Sequence, residues 1–308
     1  MTRKVDSKYV WIDGKVVDAD DAKVSFFGHS VHYGTGVFEG IRCYEAEQGP
    51  AVFRLPEHLT RLRASALSYD IEYSWTDQEL TEAIVDLIRT HGFRECYIRP
   101  LVLLGEGRLA VMPSENVVNT YIAVWSWGRY LGEGALTNGV RTVVVKTRKY
   151  PVAALNPAVK AVGHYTNSVR ATKEAHARGY DEGIVLNCEG RIAEGPGENI
   201  FLVKDGRILT NPVEECILNG ITRETVLELA AARGIEADVR PIELEELFAA
   251  DEAFFSGTAA EVTPIAEVDD RKIGAGGRGP LTQALQEDYL AAVRGRLTGR
   301  ESWLTVVK

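Results

Sequence analysis

Residues 155–170, "LNPAVKAVGHYTNSVR", set a single lysine among small and apolar neighbours. Val159, Ala161, Val162 and Gly163 crowd Lys160, and no carboxylate lies within five residues on either side. Desolvation disfavours the ammonium form and can lower a lysine pKa by several units, which an amine nucleophile requires to attack a carbonyl near neutral pH. The competing reading is a lysine that runs its stem along apolar surface and keeps its ammonium in water.

Two further stretches offer anion sites. In "LNGITRETVLELA", residues 218–230, Gly220, Ile221 and Thr222 lead into a helix whose free N–H groups and dipole favour an anion, although Thr222 as a plain cap explains the same residues. In "FFSGTAAE", residues 254–261, Gly257, Thr258 and Ala259 offer backbone donors and a hydroxyl at a strand-to-turn junction. Separately each is weak, but two candidate phosphate cradles and one desolvated lysine form a set that one cofactor would explain, pyridoxal 5'-phosphate, held by its phosphate and joined to the lysine as a Schiff base. That cofactor also needs a carboxylate at its ring nitrogen, and "IAEGPGENIF" supplies Glu194, otherwise a solvated strand-end glutamate. Tyr165, five residues beyond Lys160, suits the ring's phenolate oxygen. Arg61 in "EHLTRLR" would clamp the phosphate, but helical periodicity sets it off the Leu59/Leu62/Tyr69 stripe, so by pattern it is a surface charge.

Two other signals are set aside. The glycines of "YGTGVFEG", residues 33–40, precede a strand-like run where a dinucleotide fingerprint requires a helix, so they read as a sharp bend or as a close approach of backbone to a ligand. His29 and His32 lie three apart in strand-like surroundings that point them to opposite faces with no third ligand nearby, so no metal site is expected.

The elements that must position these residues are legible in outline. Hairpin turns are expected at Asp13-Gly14, near Glu189-Gly190 and at Asp205-Gly206, because type I′ turns need positive φ at both central residues. Further strands are expected at "GIRCYEA", "AVFRL", "CYIRPLVLL", "NTYIAVWSW", "VRTVVVKT" and "EAFFSG". Helices are expected at "PEHLTRLRASALSY", "TDQELTEAIVDLIRTHG" with a Thr76/Glu79 capping box, "TNSVRATKEAHARG", "TRETVLELAAARG" and "LTQALQEDYLAAVRGRL", with Gly179 and Gly234 as C-terminal caps. Strands and helices come in clusters, which reads as an α+β fold. The glycine-rich stretch at 127–139 is the expected link between a smaller N-terminal domain, 1–128, and a larger one, 138–308, with 129–137 as the linker itself.

The 308 residues, 45% hydrophobic and 26% charged, suit a soluble globular protein with one large or two medium domains. A net charge of −9 with scattered lysines and arginines argues against nucleic acid as a partner. No apolar leader and no long apolar run occur, so a cytoplasmic location with no membrane partner is expected. Cys43, Cys96, Cys188 and Cys216 form no C-x-x-C pair and read as free thiols.

Taken together and in order, "HYGTGVFEGIRCY", "EHLTRL", "YIRP", "NPAVKAVGHYTNS", "EGPGENIF", "NGITRE" and "SGTAAE" closely resemble the branched-chain amino acid aminotransferases among the fold type IV pyridoxal-phosphate enzymes, over about Tyr9 to Tyr289. The resemblance implies the two-domain fold type IV architecture with the cofactor between the domains. It implies Lys160 as the catalytic Schiff-base lysine, Glu194 at the pyridine nitrogen, Tyr165 at the ring oxygen, and Arg61, Ile221, Thr222 and Thr258 around the phosphate. Phe38, Gly40, Tyr97, Arg99, Trp127, Tyr130, Thr258 and Ala259 match substrate-pocket positions. Tyr33 matches a residue that reaches into a neighbouring subunit, which implies a homodimer or a higher assembly of dimers. The implied reaction is transamination of leucine, isoleucine and valine with 2-oxoglutarate, the partners being amino acids and 2-oxo acids. A relative acting on D-amino acids, chiral amines or aminodeoxychorismate is the alternative, against which Arg99 in "YIRP" argues. Val162 and His164 depart mildly from the family pattern beside the lysine, which leaves the substrate range open.

Overall fold

The structure, a computed structural model, describes residues 5–128, 130–132 and 134–308. The chain forms two compact units. The first comprises the described residues up to Trp127 together with Val159–Gly163 and Ala292–Lys308; the second comprises those of Gly128–Ala158 and His164–Ala291. The expected linker, 129–137, includes Arg129 and Glu133, which lie outside the described residues.

The first unit is built on a twisted sheet of β1 (Tyr9–Ile12), β2 (Lys15–Asp18), β3 (Gly36–Phe38), β4 (Ile41–Ala46), β5 (Gly49–Phe53), β6 (Cys96–Leu104), β7 (Val118–Trp125) and, from the C-terminus, β17 (Leu304–Val306). Their order is β17-β5-β4-β6-β7-β1-β2, with β3 also on β6. The β1–β2 turn has positive φ at both Asp13 and Gly14, as the type I′ pattern requires. Helices α2 (Leu55–Leu67) and α3 (Asp77–His91) bury Leu55, Leu59, Leu62, Leu80, Ile84 and Ile88 in one core with Ile41, Val52, Ile98 and Val102 of the sheet. The Thr76/Glu79 capping box starts α3, and Gly92 in the left-handed region ends it. Tyr69, placed by pattern on the α2 stripe, is exposed because the helix stops at Leu67. His29 and His32 sit on the short helix α1 (His29–Tyr33) and not on a strand.

Two segments distant in sequence return to this unit. Strand β17 pairs with β5, and the Lys160 segment runs along β3. Val37 bridges Ala161 in antiparallel fashion, Phe38 N–H donates to the Lys160 carbonyl at 3.1 Å, Val162 N–H to Gly36 at 2.8 Å and Gly163 N–H to Gly34 at 3.1 Å. The glycines of 33–40 therefore serve close approach of this chain's own backbone. A Cβ on Gly34, whose φ is +68°, would lie 3.0 Å from the Gly163 Cα.

The second unit carries β8 (Val140–Arg148), β9 (Glu182–Leu186), β10 (Ile192–Glu194), β11 (Asn199–Lys204), β12 (Arg207–Thr210), β13 (Ala237–Val239), β14 (Glu252–Gly257), β15 (Glu261–Val268) and β16 (Arg271–Lys272). The order is β10-β9-β8-β15-β14-β11-β12-β13, with β16 on β15. It mixes antiparallel hairpins with parallel pairs such as β8–β9, as an α+β reading allows. Helices α4 (Ala135–Asn138), α5 (Tyr165–Ala177), α6 (Ile221–Ala232), α7 (Leu244–Phe248) and α8 (Pro280–Val293) up to Ala291 complete it, and Gly179 and Gly234 follow α5 and α6 at positive φ. Phe255, Ile200, Leu202, Ile184 and Ile265 form the centre of its core.

Candidate active site

In the first unit the site begins with a buried carboxylate. Glu39 follows β3 and is inaccessible to solvent, a placement that is costly unless the charge is paired. His58 Nδ1 lies 2.7 Å from its Oε2, and Arg61 Nε and Nη2 donate to Oε1 and Oε2 at 2.7 and 2.9 Å. His58 and Arg61, three apart on α2, share the face that meets it. Burial resists ionisation of Glu39, but Arg61 and His58 outweigh it and hold the carboxyl far below the usual carboxylate range. Burial pushes the His58 pKa down against the pull of Glu39. Arg61 is thus mostly buried in a bidentate pair, not the surface charge that its helical phase suggests.

Lys160 stands next to this group. Part of the residue reaches solvent, yet burial of its amine, reinforced by Arg61 and opposed by Glu39, lowers the pKa from the ordinary 10.5 to about 8. Its Nζ sits 5.1 Å from the Phe38 ring centroid, and its N–H donates to Ser65 Oγ at 3.2 Å. Around it gather the residues expected on the substrate side. Arg99 lies over the rings of Phe38 at 4.5 Å, Tyr97 at 5.3 Å and Trp125 at 5.9 Å, and donates to the Tyr97 hydroxyl at 3.2 Å. Trp127 stacks on Tyr97 at 4.8 Å. Gly40 makes room for that tyrosine, since a Cβ there would overlap its hydroxyl. The buried Arg99 Nε has no hydrogen-bond partner among the described residues. Tyr33 lies apart, 44% exposed at the end of α1 and tilted against the His29 ring. The His29 and His32 rings hold Thr35 Oγ1 and the carbonyls of Ala110 and Phe26.

In the second unit Glu194 ends β10 with its carboxylate buried. It is ion-paired to Lys149, and its Oε2 accepts from Asn199 Nδ2 and from the Leu218 N–H, each at 3.1 Å. Asn199 also donates to the Leu218 carbonyl at 2.8 Å, and a Cβ on Gly220 would overlap its Oδ1. One asparagine therefore ties Glu194 to the turn that starts α6. That helix begins at Ile221 with no side-chain cap, so the N–H groups of its first turn keep their capacity for an anion. Thr222 is buried at that start. Asn199 pairs in register with Ser256, two residues before Thr258, and the buried Ser256 Oγ has no partner among the described residues. Ala259 and Tyr130 line one small cavity, and the Tyr130 hydroxyl contacts Glu182 at 3.4 Å. Tyr165 opens α5. Glu198, also buried, instead accepts from the Gly197 N–H at 3.1 Å.

Sequence reasoning missed Glu39, His58, Lys149 and Asn199. The signal available for Glu39 was an acidic residue interrupting the apolar run "GVFEGI". Lys149, in "TRKYP", offered none.

The first unit thus offers an amine of lowered pKa, and the second an uncapped helix start, a buried carboxylate and, near Thr258, a hydroxyl with no partner among the described residues; each is a group type that pyridoxal-phosphate enzymes use. Residues 36–268 match the family model of class IV aminotransferases. The branched-chain-amino-acid aminotransferase of Pseudomonas aeruginosa is 44% identical over 299 residues, 97% of each chain. The crystal structure of the Escherichia coli branched-chain amino acid aminotransferase superposes with a TM-score of 0.96 at 41% identity, covering 98% of this chain and 100% of that one. The branched-chain amino acid aminotransferase of Thermobaculum terrenum in its PLP-form, the holo-form, gives 0.91 at 32%, covering 98% of this chain and 99% of that one. The chain belongs to the class IV aminotransferases and, within them, to the branched-chain-amino-acid aminotransferases.

Proposed function

We propose that this chain transaminates leucine, isoleucine and valine with 2-oxoglutarate, using pyridoxal 5'-phosphate, as a cytoplasmic homodimer. The observation that carries the reading is the Lys160 amine, its pKa lowered to about 8 beside Arg61 and walled by Phe38 and Tyr97. Arg61, the α6 start with Ile221 and Thr222, and Thr258 would hold the phosphate; Glu194 would face the ring nitrogen and Tyr165 the ring oxygen. When bound, the cofactor supplies an electron sink for the pair left on the substrate Cα. The remaining work falls to side chains. Lys160 Nζ, neutral in a useful fraction near pH 8, takes the Cα proton as general base. Glu194 keeps a proton on the ring nitrogen, and Glu39 fixes the Arg61 guanidinium.

Phe38, Tyr97 and Trp127 would wall the side-chain pocket, with Gly40 making room for Tyr97, Tyr130 and Ala259 would contribute from the second unit, and Arg99 would provide the cation for an acidic side chain. Burying about four side-chain carbons of leucine is worth roughly 2 to 3 kcal/mol, whereas a carboxylate needs a charge-assisted partner to offset its desolvation. Tyr33 would serve the neighbouring subunit's pocket. No described helix is long and apolar enough to cross a membrane. The test is a donor panel with 2-oxoglutarate and added pyridoxal phosphate. Glutamate formation from the three branched-chain L-amino acids supports the reading; turnover confined to D-amino acids or chiral amines overturns it.

A further inference from the structure

We propose that Lys149 is a positioning residue for Glu194. Its ammonium is the counterion of the buried carboxylate in the cofactor-free protein, and it holds that carboxylate aimed for the cofactor's ring nitrogen. The inference rests on the reading that Glu194 faces that nitrogen.

Lys149 and Glu194 are 8% and 5% exposed, so each charge would be costly to hold alone. Lys149 follows β8 directly, and its backbone is anchored by donating to the Leu186 carbonyl at 2.8 Å and accepting from Cys188 Sγ at 3.3 Å. Its Nζ passes 5.2 Å from the Tyr150 ring and ends on Glu194 Oε1. Oε2 is filled by Asn199 and the Leu218 N–H. A carboxylate offers about four acceptor positions, so the one left for a ring N–H is on Oε1, the oxygen that Lys149 already holds. Two cations would then share one carboxylate in the loaded protein, while among the described residues the ammonium alone pairs with it in the cofactor-free protein.

The consequence is an asymmetry between the two states. Without Lys149, no cation among the described residues pairs with the buried carboxylate of the cofactor-free protein, whereas in the loaded protein the protonated ring would replace the ammonium. Thermal melts of Lys149→Met should therefore fall by ~6 °C or more without cofactor, and by less than half as much with saturating pyridoxal phosphate. Equal losses in both states would make Lys149 a scaffold residue and overturn the inference, and the yellow, cofactor-loaded variant would show the proposed function untouched. If Lys149→Met does not fold, Lys149→Met/Glu194→Gln decides. It folds if the lone carboxylate is the cause, and its failure to fold would contradict the pairing. Glu194→Gln alone separates the two readings. An unaltered cofactor affinity in that variant means that Glu194 does not face the ring, and the inference falls with that assignment.

Discussion

At the scale of single residues, the lysine that looked isolated along the chain is electrostatically crowded in space. Burial and Arg61 favour its neutral form and Glu39 opposes them, leaving the pKa at about 8. A lysine whose folded pKa lies below its ordinary 10.5 holds fewer protons than the unfolded chain between those two values. Folding stability from this group therefore rises with pH across that window, and the cost is fully present below about pH 8. Cofactor-free Lys160→Met should melt above the wild type at pH 7, with the gap closing toward pH 10; a gap independent of pH would contradict the lowered pKa. Arg99 yields a second prediction. Its guanidinium lies over three aromatic rings with Nε unpartnered among the described residues, so Arg99→Ala should raise KM for 2-oxoglutarate and glutamate at least tenfold more than for leucine, about 1.4 kcal/mol. Equal losses would assign Arg99 to the α-carboxylate or to the structure.

At the scale of elements, what the sequence discloses is local. The hairpin turns at Asp13-Gly14 and Asp205-Gly206, the Thr76/Glu79 box and the start of α6 each follow from a few adjacent residues. What it hides is non-local. Nothing in "PAVKAVG" indicates that the segment pairs with Gly36–Phe38, and nothing near Glu194 indicates a lysine 45 residues away. Buried polar partners carry no periodicity, so Arg61 read as surface until Glu39 was located. Two glycines separate the roles of turn and site. Gly206→Ala strains a turn at φ +74° with open space around it, and should cost about 1 to 2 kcal/mol with cofactor affinity unchanged. Gly220→Ala has ordinary φ but overlaps Asn199 Oδ1, so it should weaken pyridoxal phosphate binding by loosening both Glu194 and the α6 turn. Cofactor titration of the two variants checks this; equal affinities would detach Asn199 from the site.

At the scale of the whole molecule, the seven ordered motifs made the family legible, while the backbone partners of the short returning segments were not. The first unit also exposes Val24, Phe26, Phe27, Val31 and Tyr33, and the loop with Val111 and Met112, joined to that region through His29 and the Ala110 carbonyl. Surface of this kind suits contact with a second copy. Sedimentation should show a dimer, and Phe27→Asp should shift it toward monomer with loss of turnover; an active monomeric wild type would contradict the dimer. The central claim is that Lys160 is the residue that bonds to the cofactor. Borohydride reduction of the protein loaded with pyridoxal phosphate, followed by peptide mass mapping, tests it most directly. The account predicts one phosphopyridoxyl group, on Lys160; a label on Lys149 or another lysine, or none at all, would contradict it.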